Sequence, residues 1–212
     1  MKKHLPNLKI KEINKKITNN ELNSIINLIK NENVYSILSK LSISLIKKYL
    51  RIAVNSKNIF LFILKEKNKI IGYSLFAKNA DYLIKEFNQI KFKIFMDLLL
   101  RLKFFSLLNI LFAITKFDLI IISRKKIDQN EKSLNLNLLA IDQRYQSQGL
   151  GNFFLQNTIE TIYKKIFQFN FITCEAPTLR VLNFYLKKSN FKLVGKKIRI
   201  GQNLFVLKKK YK

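Results

Sequence analysis

Apolar and polar positions along the chain fall into two periods that predict its elements. Leu8–Ile13 alternates and predicts a first strand. Thr18-Asn19-Asn20-Glu21 has the form of a capping box, and Leu22, Ile25, Ile26 and Ile29 follow it at helical spacing. A second helical pattern covers residues 34–50 through Ile37, Leu38, Leu41, Leu45 and Ile46. Residues 59–64 and 70–77 are apolar runs around a charged turn, which predicts a hairpin. Gly72, near the start of its second arm, predicts a bend or a close backbone approach. Leu134, Leu136 and Leu138 alternate with Asn135 and Asn137 and run into Leu139-Ala140-Ile141, predicting another strand. After a polar turn at 142–148, Gly149-Leu150-Gly151 opens a helical pattern through Phe153, Phe154, Leu155, Ile159 and Ile162, ending near Phe167. Residues 169–175 predict a strand broken by Ala176-Pro177, and 179–188 a helix. Residues 191–194 and 203–207 predict two closing strands, with turns around Gly195 and Gly201-Gln202.

Between residues 78 and 133 lies more chain than a hairpin connection needs. Its stretch FFSLLNILFAIT, 104–115, is apolar but shorter than a membrane span, and Lys116 and Asp118 follow at once, so no crossing is expected. Lys91, Lys93, Arg101, Lys103 and Lys116 interleave with Phe92, Ile94, Phe95, Leu98 and Leu99. Two readings stand side by side. One is a pair of helices packed over the core. The other is an amphipathic element over 90–122 that rests on an anionic membrane surface or covers a large substrate. A lid, a homodimer contact and a membrane foot all remain open for this insertion. Residues 124–131 read as an exposed loop.

The strand, glycine-bearing turn and helix start at 134–156 aim several free backbone amides at one spot, and the helix dipole adds partial positive charge there. Such a spot suits a phosphate or pyrophosphate. A dinucleotide fingerprint would need a third glycine where Phe154 stands, and a P-loop would need Lys where Asn152 stands, so both are excluded. Gln146-Ser147-Gln148-Gly149-Leu150-Gly151 instead resembles the acetyl-CoA pyrophosphate loop of the GNAT superfamily of acetyltransferases, Gln/Arg-x-x-Gly-x-Gly/Ala, at every fixed position. A second segment resembles the family's Phe-Tyr-x-Lys-x-Gly-Phe: Phe184, Tyr185, Lys187 and Phe191 match, and Asn190 replaces the glycine, a change a left-handed helix end tolerates. Thr178 stands where the family often has an Asn bonding the pantetheine arm.

The resemblance implies an α/β (α+β) fold: a central mixed, mostly antiparallel twisted sheet flanked by helices, with a helical insertion at about 80–132. It implies one domain over the whole chain and acetyl-CoA as co-substrate. Pantetheine would insert beside the 134–141 strand and use backbone groups of Leu139 and Ile141. The pyrophosphate would lie on the loop of Gln146, Ser147, Gln148, Gly149, Leu150, Gly151 and Asn152, with Thr178 toward the pantetheine. Tyr185 would protonate the leaving sulfur. Glu175, at the end of the next strand, is the candidate general base, with a water relay as the alternative. The implied activity is N-acetylation of a small amine acceptor, an amino sugar of a surface glycan being the leading case. Acetylation of a protein N-terminus or lysine is the second enzymatic reading.

Composition changes this picture in two places. With 40 basic against 13 acidic residues, the formal net charge is +27. The lysines are scattered and accompany abundant Asn and Ile, the pattern of an AT-rich codon usage. The charge would still draw anionic ligands such as coenzyme A. A basic nucleic-acid- or membrane-surface-binding module is the third, non-enzymatic reading; no nucleic-acid motif or basic-aromatic platform accompanies the charge, so a specific nucleic-acid partner is not expected. Cys174, the single cysteine, excludes an intrachain disulfide and fits a reducing cytoplasm. One His and one Cys leave no metal cluster and no His-based triad, and the first residues lack an apolar signal core.

Overall fold

The computed structural model describes residues 7–100, 132–199 and 202–211. The apolar run at 104–115, the loop expected at 124–131 and Gly201 lie outside the described residues. Seven strands form one sheet: β1 (Leu8–Ile13), β2 (Ile59–Glu66), β3 (Lys69–Ala77), β4 (Ser133–Ile141), β5 (Phe171–Ala176), β6 (Lys192–Arg199) and β7 (Gln202–Lys210). Their order is β1-β2-β3-β4-β5-β7-β6. Every neighbouring pair is antiparallel except β4 and β5, which are parallel because a helical crossover joins them.

The described helices lie on both faces of the sheet. Before β4 come α1 (Asn19–Glu32), α2 (Ile37–Lys40), α3 (Ile43–Asn55), α4 (Ala80–Phe87) and α5 (Lys91–Leu100). After it come α6 (Leu150–Lys165) and α7 (Leu179–Asn183), which a π turn at Phe184–Lys188 continues. Strand β2 is apolar at successive positions because it feeds two cores. Ile59, Leu61 and Ile63 pack with Leu22, Ile25, Ile46, Leu83 and Leu98 of α1, α3, α4 and α5 in a first core. Phe60, Phe62 and Leu64 pack with Phe154, Ile159, Leu182 and Tyr185 of α6 and α7 in a second. Each such large side chain contributes roughly 1.5–3 kcal/mol. Among the described residues, none of β5, β6 or β7 belongs to the first core. No helix among the described residues is long and apolar enough to cross a membrane.

The capping box forms as the sequence predicts. The Glu21 amide donates to Thr18 Oγ1 at 3.2 Å and the Thr18 amide donates to Glu21 Oε2 at 3.2 Å. Glu21 also accepts from Lys11 on β1 at 3.0 Å and from Lys65 on β2 at 3.2 Å, which pins the start of α1 to the sheet.

Local polar chemistry moves three boundaries. The single helix expected over 34–50 is two, α2 and α3, because Ser36 and Ser42 turn their hydroxyls to the amides of Leu38 and Leu45 and cap separate helices. Gly195 lies inside β6, not in a turn. Val194 is an extra residue in the pairing there, and β6 runs on to Arg199. In β4, Leu138 pairs with Leu75 and Leu136 with Phe76, which leaves Asn137 as the extra residue of a bulge. Leu134 and Leu136 therefore face the second core, whereas Leu138 and Ala140 face the first. The three leucines do not share one face, as strict alternation had implied.

Candidate active site

The bulge stands where β4 and β5 part. The two strands pair from Ser133↔Phe171 to Leu136↔Cys174, and β4 then continues to Ile141 and β5 to Ala176 without pairing with each other. Two strand edges thus face one another with free backbone groups, an arrangement an extended ligand with its own amides can fill. Leu139 and Ile141, the residues expected beside such a ligand, lie on this unpaired length.

The loop after β4 is held from several sides. The Asp142 amide donates to the Ile71 carbonyl at 2.8 Å. The side-chain hydrogen bond from Arg144, whose Nη2 lies 2.6 Å from Asp142 Oδ2, holds the Asp142 carboxyl below its ordinary range against the opposing effect of burial. Tyr145 donates its hydroxyl proton to Glu66 at 2.6 Å. Gln146, the first residue of the motif, donates through Nε2 to the Ile141 carbonyl at 2.7 Å and to Glu32 at 2.8 Å. Its Oε1 accepts from Arg180 Nη2 at 2.7 Å, and the other Glu32 oxygen accepts from the Gln143 amide at 3.0 Å. Gln148 donates to the Arg144 carbonyl at 3.3 Å. Gln146 is thus a brace joining α1, β4 and α7.

Ser147 (φ 64°) and Gly149 (φ 81°) are left-handed, the geometry that turns successive amides toward one point. A Cβ on Gly149 would meet nothing within 4 Å, while one on Gly151 would come within 3.3 Å of the Phe184 ring. Phe153 makes the first turn's bond, to the Gly149 carbonyl at 3.0 Å, so the amides of Leu150, Gly151 and Asn152 have no acceptor within the helix. Asn152 turns its side-chain oxygen away, accepting from Gln156 at 3.2 Å and Ser189 at 3.0 Å.

Tyr185 lies on the π turn, 5% exposed, with its ring 5.1 Å from that of Phe184 and 5.3 Å from that of Phe191. Burial first, and then the neighbouring Cys174 thiol, push its phenol well above the ordinary tyrosine value. Cys174 is the last β5 residue paired with β4, so the phenol belongs to the point where the strands part. Burial, and then Glu175, also raise the Cys174 thiol, which remains a neutral, buried side chain. Asn190 is left-handed at φ 58°, as the missing glycine of the second motif requires. Thr178 caps α7, accepting from the Val181 amide at 3.3 Å. Glu175 alternates with Cys174 and faces the other side of the sheet, where Lys197 donates to it at 2.7 Å.

The structure therefore gathers the loop, Leu139, Ile141, Thr178 and Tyr185 around one gap and sets Glu175 at its far face. Glu32 and Arg180 join the site without a mark in the sequence. Their contacts span 114 and 34 residues of chain, and neither position carries a local pattern. In the alternating pattern Asn137 takes an ordinary strand position. A polar residue ahead of Leu138, Leu139, Ala140 and Ile141 in an otherwise alternating strand was the available signal.

No family model matches the chain, and no curated protein matches it. Its structure is nonetheless similar to many solved ones. A GNAT-family acetyltransferase of Streptococcus pneumoniae superposes with a TM-score of 0.57 at 14% identity, over 97% of this chain and 100% of that one. The ribosomal-protein-S18-alanine N-acetyltransferase of Escherichia coli gives 0.55 at 11% identity, over 96% and 93%. Ard1 of Thermoplasma volcanium gives 0.56 at 12% identity, over 97% and 98%. The fold is that of the GNAT acetyltransferases.

Proposed function

We propose that the protein is an N-acetyltransferase that moves the acetyl group of acetyl-CoA to a primary amine of a small molecule. One observation carries the reading: the gap between β4 and β5 leads into a loop of free amides at one end and has a buried, protonated phenol at the other. The residues present fit a coenzyme A thioester. Space beside Gly149 lets a diphosphate approach the amides of residues 147–152, and a side chain at that position would fill it. The edge of β4 facing the gap offers the backbone of Leu139 and the amide of Ile141 to the pantetheine arm, the Ile141 carbonyl already accepting from Gln146. Thr178, whose oxygen already caps α7, keeps its hydroxyl proton to donate to the same arm.

Bound there, acetyl-CoA would supply an activated acyl group with a thiolate leaving group. The chain's residues do the rest. An oriented amine attacks the carbonyl carbon, the carbon–sulfur bond breaks, and Tyr185 passes its proton to the sulfur. The amine's proton leaves to water or to Glu175, which Lys197 holds on the face of β5 opposite Cys174.

The test is thermal unfolding with and without acetyl-CoA, on the wild type and on Gly149→Glu, followed by an acceptor screen with amino sugars first and peptide N-termini second. Ligand at about a hundred times its dissociation constant adds about 2.7 kcal/mol. The expected result is stabilisation of the wild type alone and release of free thiol in the presence of an amine. A well-folded wild type that acetyl-CoA does not stabilise would overturn the reading.

A further inference from the structure

Helix α5 is apolar on two opposite sides. Ile94, Phe95 and Leu98 pack into the first core. Phe92, Met96, Leu99 and Leu100, at positions i, i+4, i+7 and i+8, fall on the other side. Phe92 is 71% exposed, Leu99 41% and Leu100 77%. On the other described elements, exposed large apolar side chains stand singly or, at Val34 and Tyr35, as one adjacent pair. A lone exposed leucine needs no account, but a helix apolar on both sides does. The border of this face is basic. Lys91 and Lys93 stand on either side of Phe92 in the chain, and both are exposed. Lys48, exposed on α3, meets Lys93: the charge of that ammonium, and then a hydrogen bond with it, lower the Lys48 pKa. Among the described residues, none of Lys48, Lys91 and Lys93 is in a salt bridge. The carboxylate of α5, Asp97, turns to α3, where it accepts from the Ser42 amide at 2.8 Å.

We propose that this face docks the protein on an anionic membrane surface: Phe92, Leu99 and Leu100 enter the boundary between headgroups and acyl chains, and Lys48, Lys91 and Lys93 lie against lipid phosphates. A few apolar side chains alone hold a protein weakly on a bilayer, and a few cations alone are screened by salt. Together they give a stable peripheral contact. The helix lies along the surface, because its ten residues span about 15 Å, half of the hydrocarbon thickness. Charge favours lipid over a second copy of the chain. Two copies meeting through this face would bring their basic borders together, whereas lipid phosphates neutralise them. The proposal does not depend on the acetyltransferase reading.

The chain has no tryptophan, so Phe92→Trp sets a single reporter in the face. Vesicles of phosphatidylcholine, with and without phosphatidylglycerol, are titrated into it at physiological salt. The indole emission should shift to the blue on the anionic vesicles only, and brominated acyl chains should quench it. Co-sedimentation then compares wild type with Phe92→Ser/Leu100→Ser and with Val34→Ser/Leu193→Ser, which removes exposed apolar side chains elsewhere. The first pair should lose binding to anionic vesicles roughly ten-fold or more and the second less than two-fold, with unchanged melting temperatures. Lys48→Gln/Lys91→Gln/Lys93→Gln should lose more than Lys9→Gln/Lys57→Gln/Lys67→Gln, which removes the same charge from other exposed positions. Equal losses in the two lysine triples would leave only the overall charge of +27 at work and overturn the proposal. So would a wild type that ignores anionic vesicles, or an indole that stays in water while the protein sediments with them. A concentration-dependent dimer that Phe92→Ser/Leu100→Ser dissolves would assign the face to a second copy of the chain instead.

Discussion

Arg180 Nη2 lies 2.7 Å from Gln146 Oε1, and the two residues stand on opposite banks of the gap: Gln146 follows β4, and Arg180 follows β5. The bond joins the two halves of the sheet at the far end of the gap, beyond Ile141 and Ala176. Arg180 is exposed, so the bond adds little to global stability. Its consequence is local, because the same Gln146 amide holds the Ile141 carbonyl and Glu32. Arg180→Ala is expected to weaken acetyl-CoA binding three- to ten-fold by calorimetry, about 0.7–1.4 kcal/mol, with an unchanged melting temperature. Gln146→Ala, which frees all three partners, should cost more in binding and also lower stability. Tight binding in both variants would show that the loop is held by its backbone alone.

Tyr185→Phe tests the proton donor. The ring is packed between Phe184 and Phe191, and Phe preserves that packing. Single-turnover acetyl transfer should fall ten-fold or more, with acetyl-CoA affinity changed less than two-fold. Unchanged transfer would assign the sulfur's proton to solvent.

The pH profile follows from the same environment. Burial raises the phenol well above 10, so Tyr185 stays protonated, and competent as an acid, throughout the neutral range and past pH 10. The acceptor amine must be neutral to attack. kcat/KM should therefore climb with pH through the acceptor's own pKa and show no falling limb below pH 10. A falling limb near pH 9 that disappears in Tyr185→Phe would contradict the buried setting.

Much of this site could be read before folding because it is local. A glycine turn between a strand and a helix declares itself by Gly149 and Gly151, and the Tyr185 segment by its spacing to Phe191. The first strand and the capping box are likewise local, and both formed where the sequence set them. What escaped depends on partners far along the chain or on pairing. Nothing near Glu32 says that its carboxylate meets Gln143 and Gln146. The inversion of Leu138 relative to Leu136 exists only because β3 pairs past Asn137. The split of the 34–50 helix turns on whether Ser42 bonds the Leu45 amide or leaves it to the helix, a competition worth about 1 kcal/mol, which tertiary contacts decide.

Glu21 should govern acid stability. Burial alone would raise its carboxyl. Lys11, the Thr18 amide and Lys65 together outweigh that and hold it at about 2, against 4.5 for the free group. The unfolded chain thus binds a proton before the folded one does. The contribution is complete above pH 4.5 and is lost as pH falls toward 2. At about 1.36 kcal/mol per unit this amounts to about 3 kcal/mol. Denaturant unfolding between pH 6 and 2.5 should show a decline that is shallower in Glu21→Gln, which begins less stable. Parallel curves for the two proteins would place the acid sensitivity elsewhere.

Gly72 and Gly149 flank the same site and should fail for different reasons. A Cβ on Gly72 would stand 2.5 Å from Ile141 Cδ1 and 2.9 Å from the Ala140 carbonyl oxygen, so β3 and β4 would have to separate. Gly72→Ala should destabilise by about 1–3 kcal/mol, as overpacking does, and shift Ile141 with the loop that follows it. Gly149→Ala meets no atom within 4 Å, and its cost is the left-handed backbone, about 1 kcal/mol. Its methyl group would project into the space assigned to the diphosphate. Denaturant titration should therefore rank Gly72→Ala as the less stable variant, and calorimetry should rank Gly149→Ala as the weaker binder of acetyl-CoA. If both measurements give the same order, the space beside Gly149 is not where the diphosphate binds.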